Sequence, residues 1–372
     1  MSPRFNQAFS LSSEQRTILR SSTDPWFPEW QAIADSPEDL SALPSVQTFL
    51  SATAPLINAL GQIPQTSYSL YYRPGAAGYT EQYRLKRARL SAAALHFCAG
   101  HDALTDALHN YLWSICEESS WVVPEHIENK LLEPYAVQTA LLLAEVVFVL
   151  QDRLDSTVRA RIGKELELRI FRPYLADHGS CWWYKDTSSW NGICNSAIAA
   201  TALLFEPYRE RALHILDIAL DGLNTYLEQR FEQATVSPQL LLDWYVSLEN
   251  VVLFSELLYA RSAGLINLLQ SERIRSLAGV LADLAEFEEE QPAPPFHPGV
   301  IARLLQRTHE DSLHLLLKPG YVQDWRFGLV LRDLLWQEEP FSVPQPPTQT
   351  ADAGTLDVSS DRAVEDDNIG KD

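Results

Sequence analysis

Apolar residues recur at helical spacing along most of this chain, and no segment shows the alternation of apolar and polar residues that is typical of a half-buried strand. Only 15 glycines and 22 prolines occur in 372 residues, so few positions interrupt regular structure. These patterns predict an all-α protein. The predicted helical segments are 46–60, 81–97, 102–116, 133–150, 156–174, 191–205, 208–230, 240–263, 272–289, 300–307 and 325–336.

Changes in composition divide the chain into three predicted regions. Residues 1–45 hold short helical pieces broken by prolines, and we expect Trp26, Phe27 and Trp30 to pin this arm to the body. Residues 46–340 form the helical domain. Residues 341–372 are proline-rich and then acidic, with little to bury, which predicts a disordered tail. Helical hairpins at intervals of roughly 30–45 residues are typical of a solenoid or a closed toroid, and no sequence repeat decides between them.

The charge balance limits the classes of partner. The net charge is −20, from 29 basic and 49 acidic residues, which argues against nucleic acid or an anionic membrane as the main partner. The N-terminal run MSPRFNQAFSLSSEQR lacks the apolar core of a secretory signal, and the apolar run LLLAEVVFVLQDRL is interrupted by Glu145. We therefore expect a cytoplasmic protein. The four cysteines include no CxxC pair, which predicts free thiols, no metal site and no cofactor.

An aromatic cluster precedes one of the predicted helices, in the stretch CWWYKDTSSWNGICNSAIAATALLF (181–205). Trp182, Trp183 and Trp190 lie within nine residues, around Lys185, and a run of small apolar residues follows. Aromatic side chains with a polar atom suit concave ligand sites, so one interpretation is a binding surface. The alternative is that these rings plug the end of the helical core.

Three runs of residues carry a resemblance to a known family. They are TEQYRLKRARL, YLWSICEESSWVVPEH and SSWNGICNSAIAATALL. The first resembles the Tyr-Glu and paired-basic segment of heparinase II/III-type polysaccharide lyases. The second resembles their segment of Trp, Ile-Cys-acid, Trp and Pro-x-His, and the third resembles their Asn-Asn-Trp-Asn-x-Val-Cys-Asn segment. The resemblance runs from about Tyr68 to Trp336 and implies that family's N-terminal helical domain, an incomplete (α/α) toroid.

The resemblance also implies a chemistry. In the family a uronic-acid polymer binds across the cleft of the toroid, and asparagine, histidine or arginine neutralises the uronate carboxylate. A tyrosine or histidine then removes the adjacent C5 proton. Preorganised donors that stabilise the enolate formed in this step account for the catalysis.

Three departures from the family pattern predict that the lyase machinery is degenerate. Ser189 stands where the family has an asparagine that contacts the carboxylate, and a serine offers one donor instead of two. In QLLLDWYVS, Asp243 stands at the expected tyrosine, and Tyr245 is one residue out of register, which on a helix is about 100° of rotation. The family continues into a C-terminal β-sandwich, whereas this chain continues into an acidic tail.

The candidate catalytic residues are Tyr245, Asp243 and His126. For His126 the alternative is a surface histidine beside acids, and for the other two it is an ordinary helix start. The candidate substrate-binding residues are Trp121, Trp182, Trp183, Lys185, Ser189, Trp190, Asn191, Asn195 and Trp244. The alternative for Asn191 is a helix cap.

Two functions follow from these patterns. The first is a lyase-derived protein that acts on, or binds, an acidic carbohydrate or a small acidic molecule in its central cleft. If it is an enzyme, it is a carbon–oxygen lyase or a repurposed biosynthetic enzyme. The alternative is a non-catalytic toroid that binds a carbohydrate or a protein partner.

Overall fold

The computed structural model describes residues 9–21, 37–72, 78–129, 132–206, 209–227, 238–281 and 296–336. These residues form fifteen α-helices, a π-helical turn at Glu167–Phe171 and short 3₁₀ turns, and they contain no β-strand, which confirms the predicted all-α class. The helices are α1 Ser13–Ser21, α2 Pro37–Ala42, α3 Pro44–Asn58, α4 Tyr68–Tyr72, α5 Tyr79–Cys98, α6 Thr105–Cys116, α7 Pro134–Leu150, α8 Ser156–Leu166, α9 Arg172–Asp177, α10 Ser189–Phe205, α11 Arg209–Tyr226, α12 Pro238–Arg261, α13 Glu272–Leu281, α14 Pro298–Thr308 and α15 Phe327–Leu335.

Two helix starts follow from local sequence. The Glu133 carboxylate caps α7 by accepting hydrogen bonds from the backbone N–H groups of Tyr135 (3.0 Å) and Ala136 (2.9 Å), and Pro134 occupies the first helical position. Asp155 caps α8 by accepting from the N–H of Thr157 at 2.7 Å. Ser156 is the first residue of this helix, as the predicted segment 156–174 has it.

Helix α10 lies at the centre of the packing and contacts α7, α11 and α12. Its small side chains allow this close approach: Ala197, Ala199 and Ala200 are fully buried. Gly222 of α11 faces α10 at a point where a Cβ atom would overlap the Asn195 amide. Small residues at such positions let helix axes approach closely. Gly222 also lies against the carbonyl of Tyr184, in the loop that precedes α10.

A buried ion pair joins α7 to α15. Arg332 donates to the Glu145 carboxylate at 2.7 Å, and both side chains are shielded from water. Burial raises the pKa of Glu145 above its usual value, and the Arg332 guanidinium opposes that change. Gly328 lies against this carboxylate and leaves no room for a Cβ atom.

The segment at the start of the described chain packs on the body through polar contacts. Arg16 makes two hydrogen bonds to the Asp217 carboxylate of α11, at 2.5 and 2.8 Å, and the N–H of Phe9 donates to Asn224. Trp26, Phe27 and Trp30, predicted to pin the arm, lie outside the described residues. The predicted tail, residues 341–372, also lies outside them.

Among the residues that the structure describes, one helical stretch, Pro134–Arg153, is long and apolar enough to cross a membrane by length and composition. Its most apolar part is 78% buried within the protein, as expected for a core helix.

The four cysteines differ in exposure. Cys98, Cys116 and Cys194 are buried, and Cys181 is half-buried. Burial raises the pKa of the Cys98 and Cys116 thiols to about 12, and it raises the pKa of Cys194 well above the usual value.

Candidate functional site

A cleft of about 560 Å³ opens where the N-terminal halves of four helices meet. Helices α5, α7, α10 and α12 each contribute to its wall, and the segment 323–326 closes one side. The lining includes Arg84, Tyr135, Gln138, Ile193, Val246 and Trp325.

Five rings form a continuous aromatic run, from Trp182 through Trp190, His126 and Tyr135 to Trp325, and the last two of them line the cleft. Successive ring centroids are 5.1, 4.7, 5.8 and 6.3 Å apart. Tyr135 and Trp325 are nearly parallel, with 6° between their planes. Trp182 is 55% exposed, so the outer end of the run faces solvent. Such a surface offers stacking area of the kind that carbohydrate rings and aromatic ligands use.

Two arginines line the cleft near the inner end of the aromatic run, and one of them, Arg326, is paired with Asp324 and Glu249. The exposed Arg84 guanidinium donates a hydrogen bond to the Tyr135 hydroxyl and lies 5.3 Å from the centroid of that ring. Within the described part of the chain it makes no ion pair with a carboxylate. Its remaining donors are therefore available for a carboxylate or phosphate of a ligand.

His126 and Glu133 form an oriented pair within the run. The Nδ1 atom of His126 lies 2.9 Å from the Glu133 carboxylate, which is fully buried and also caps α7. The imidazole itself is half-buried and contacts Trp190. A carboxylate that fixes the orientation of a partly exposed imidazole is an arrangement that general bases use.

The two predicted asparagines lie behind the cleft wall and are completely buried. Asn191 donates to the carbonyls of Asp186 (2.7 Å) and Gly222 (2.9 Å), and Asn195 donates to the Asn191 side chain at 2.8 Å. Helix α10 begins at Ser189, so Asn191 lies inside it and does not cap it. These amides hold the 181–188 loop against α11, and the loop in turn positions Trp182.

Three of the predicted tryptophans are buried. Trp121 donates its indole N–H to the carbonyl of Ile115 at 2.9 Å, and Trp183 donates to the carbonyl of Leu132 at 3.1 Å. Trp244 is also buried, on α12. The first two use their polar atom inside the fold, as the core alternative requires.

Three polar candidates lie outside the cleft lining. Lys185 pairs with Asp221 at 2.8 Å, and both side chains are more than half exposed. Asp243 is exposed on α12, and the half-buried Ser189 begins α10. From the predicted set, Trp182, Trp190 and His126 join the aromatic run, which reaches the cleft at Tyr135.

Tyr245 is buried and serves as an acceptor. Its hydroxyl accepts a hydrogen bond from the backbone N–H of His297 at 2.8 Å, and its ring packs edge-on against Phe296 at 4.4 Å. Burial raises the pKa of Tyr245 well above its usual value. A proton-abstracting tyrosine needs the opposite change and access to substrate. The geometry of Tyr245 therefore does not provide a base.

A buried ionic cluster holds the segment that carries Trp325. The His297 imidazole bridges two carboxylates, Asp333 at 2.7 Å and Asp324 at 3.2 Å. Arg326 binds Asp324 at 2.6 Å and Glu249 at 2.8 Å. Burial disfavours the imidazolium, but the hydrogen bonds to both carboxylates outweigh it and raise the pKa of His297 to about 10. The pKa of Asp324 is lowered, because the nearby cations outweigh its burial.

Arg84, Tyr135, Trp325 and His297 were not among the candidate residues. Tyr135 and Trp325 are lone aromatic residues in polar surroundings, Tyr135 just after a helix-starting proline and Trp325 in the run VQDWR. An isolated aromatic residue in a loop is a usable signal for a binding surface. The link between His297 and Asp333 has no local signal, because 36 residues separate them.

Within the part of the chain that the structure describes, no group of three histidine, cysteine, aspartate or glutamate side chains is placed to hold a metal ion. No protein-family model matches this sequence, and no curated protein matches it.

Proposed function

We propose that this protein is a heparinase II/III-derived toroid that binds an acidic carbohydrate, or a small acidic molecule of similar shape, without cleaving it. The observation that carries the proposal is the aromatic run that ends beside Arg84. The rings would stack on the apolar faces of sugar units, and the guanidinium would pair with a carboxylate. The cytoplasmic location predicted from the sequence favours a soluble oligosaccharide or a small acid as the ligand.

The placement of the residues expected to do chemistry favours binding over cleavage. Tyr245 is buried as an acceptor, and Asp243 is exposed on α12 and does not line the cleft. Ser189 replaces the asparagine that the family uses on the uronate carboxylate. A cleft can keep its stacking surface after these losses, because the aromatic run depends on other residues.

Calorimetric titration with oligosaccharides of glucuronate, galacturonate and mannuronate tests the proposal. We expect the wild-type chain to bind at least one of them, and Trp190→Ala and Arg84→Met each to weaken binding about tenfold or more. Arg172→Met, which removes an equally charged exposed arginine outside the cleft lining, is the matched control and should bind like wild type. Absence of binding to all three series by folded wild-type protein would overturn the proposal.

The His126–Glu133 pair favours a second candidate, a lyase that uses His126 as its base. An eliminase generates an unsaturated uronate whose ultraviolet absorbance grows with time. If the wild-type chain produces this absorbance and His126→Gln abolishes it while the cleft still binds, the lyase candidate replaces the binding one. A flat signal with measurable binding supports the binding protein.

A further inference from the structure

A second groove, of about 480 Å³, lies on the opposite side of α5 from the aromatic cleft's Arg84. The segment 63–67 forms one wall, the C-terminal half of α6 forms the other, and Lys86 and Glu118 lie at the floor. We call it the Lys86 groove. None of the residues assigned to the carbohydrate cleft lines it.

Two residues at the floor of this groove, Lys86 and Glu118, belong to a buried ionic cluster with Arg87, which lies behind the lining. Lys86, Arg87 and Glu118 are 3%, 0% and 6% exposed. Arg87 binds both oxygens of Glu118, at 2.8 and 3.3 Å, and Lys86 adds a third contact at 2.9 Å. The cluster therefore carries one positive charge in excess. An excess buried charge destabilises the folded protein unless a group of opposite charge offsets the free energy lost when the charge leaves water.

Lys86 makes fewer hydrogen bonds than Arg87. Arg87 already pairs with Glu118 through two nitrogens, and its other donors reach the Thr139 hydroxyl (2.7 Å) and the Tyr83 carbonyl (3.2 Å). The Lys86 ammonium has three N–H donors, and Glu118 is its one hydrogen-bond partner among the described residues. Two donors of a buried cation thus remain at the floor of an open groove.

The walls offer groups that bind hydroxyls. Thr66, Ser67 and Ser114 supply side-chain hydroxyls, and Gln65 and Asn110 supply amides. Glu117 lies on the exposed rim, where water screens its charge, and accepts the indole N–H of Trp113 at 2.7 Å. The wall is thus polar and hydrogen-bonding, and the buried charge at the floor is positive.

We propose that the Lys86 groove is a separate site for a small hydroxylated anion, whose carboxylate or phosphate takes the two remaining donors of Lys86. Its hydroxyl groups contact the polar walls. A bound anion would balance the excess charge of the Lys86–Arg87–Glu118 cluster and so stabilise the folded protein.

Thermal unfolding and calorimetry with glucuronate, gluconate, glucose 6-phosphate and inorganic phosphate test this site. We expect one or more of these probes to bind wild type and to raise its Tm. Comparing the two carboxylates with the two phosphates then shows which acid group the site binds. Lys86→Met should unfold no earlier than wild type without ligand, because Arg87 and Glu118 stay paired, and should lose at least tenfold in affinity. Lys164→Met, an exposed lysine outside this groove, should leave both unchanged.

Three outcomes would overturn the proposal. The first is that wild type binds none of the probes, and the second is that Lys86→Met binds them with unchanged affinity. The third is that Lys86→Met loses as much stability as Arg87→Met, which would make Lys86 a structural partner of Glu118. The test is independent of the carbohydrate cleft, because Arg84→Met should leave binding at this groove intact whatever it does to oligosaccharide binding.

Discussion

At the scale of single residues, Tyr245 shows how a side chain near an expected catalytic position can have a structural role. Its hydroxyl is the acceptor for the backbone N–H of His297. We predict that Tyr245→Phe lowers the free energy of unfolding by about 1–3 kcal/mol, because a buried N–H loses its partner. Urea unfolding of the purified chain measures this change.

The matched control for that variant is Tyr321→Phe. The Tyr321 ring packs edge-on against Phe49, and within the described part of the chain its hydroxyl makes no hydrogen bond. Its removal should change stability much less than Tyr245→Phe. Equal stability of Tyr245→Phe and wild type would contradict the acceptor role of the buried hydroxyl.

At the scale of helices, the contact between α7 and α15 depends on Gly328. A Cβ atom at this position would overlap the carboxylate of Glu145, which Arg332 holds in place. We predict that Gly328→Ala lowers the free energy of unfolding by about 1–3 kcal/mol, the usual cost of overpacking. Gly61→Ala is the control, since nothing lies within 4 Å of a Cβ atom there. Equal effects of the two substitutions in denaturant unfolding would refute the prediction.

The periodicity of apolar residues predicted the long helices but not the short α4. The expected segments 81–97, 102–116 and 133–150 correspond to α5, α6 and α7 within a few residues at each end. Long buried helices repeat this apolar spacing in every turn, so the prediction of each helix rests on many residues. The ends are less certain, because a cap depends on one side chain: Asp155 and Ser156 both suit a helix start, and the structure uses Asp155.

The candidate site was predictable only in part, for reasons of distance along the chain. Trp182 and Trp190 belong to one dense cluster that the sequence displays directly. The rings of Tyr135 and Trp325 are neighbours in the cleft, although the two residues are 190 positions apart in the sequence. Nothing in the sequence near either residue therefore indicates that they come together. The burial of Trp183 beside the exposed Trp182 depends on the local turn, which the composition of the cluster does not specify.

At the scale of the whole molecule, His297 predicts a loss of stability at alkaline pH. Its folded-state pKa of about 10 lies above the ordinary histidine value of about 6.5, so the folded state holds the proton more tightly. The stabilisation is complete below about pH 6.5 and disappears as the pH rises through 10. We predict that the free energy of unfolding falls over this window, and that His297→Gln flattens the fall. A slope that persists in the variant would assign it to other groups.

His96 predicts the opposite trend in acid. Burial lowers the pKa of His96 to about 4, with a smaller contribution from His101, and its Nε2 atom lies 2.9 Å from the Thr53 hydroxyl. Between pH 6.5 and 4 the unfolded chain binds a proton that the folded chain excludes, so stability falls as the pH drops. We predict that His96→Gln reduces this acid slope and leaves the alkaline slope intact. Denaturant titrations at a series of pH values measure both slopes.

The unequal exposure of the four thiols gives the native chain a built-in attachment point. The thiolate is the reactive form of cysteine, and the raised pKa values of Cys98, Cys116 and Cys194 leave those buried thiols unreactive near neutral pH. Cys181 is half-buried and adjoins Trp182, the outermost ring of the aromatic run. A maleimide dye should therefore label one position without prior mutagenesis, and its fluorescence would report in real time on any molecule that enters the cleft.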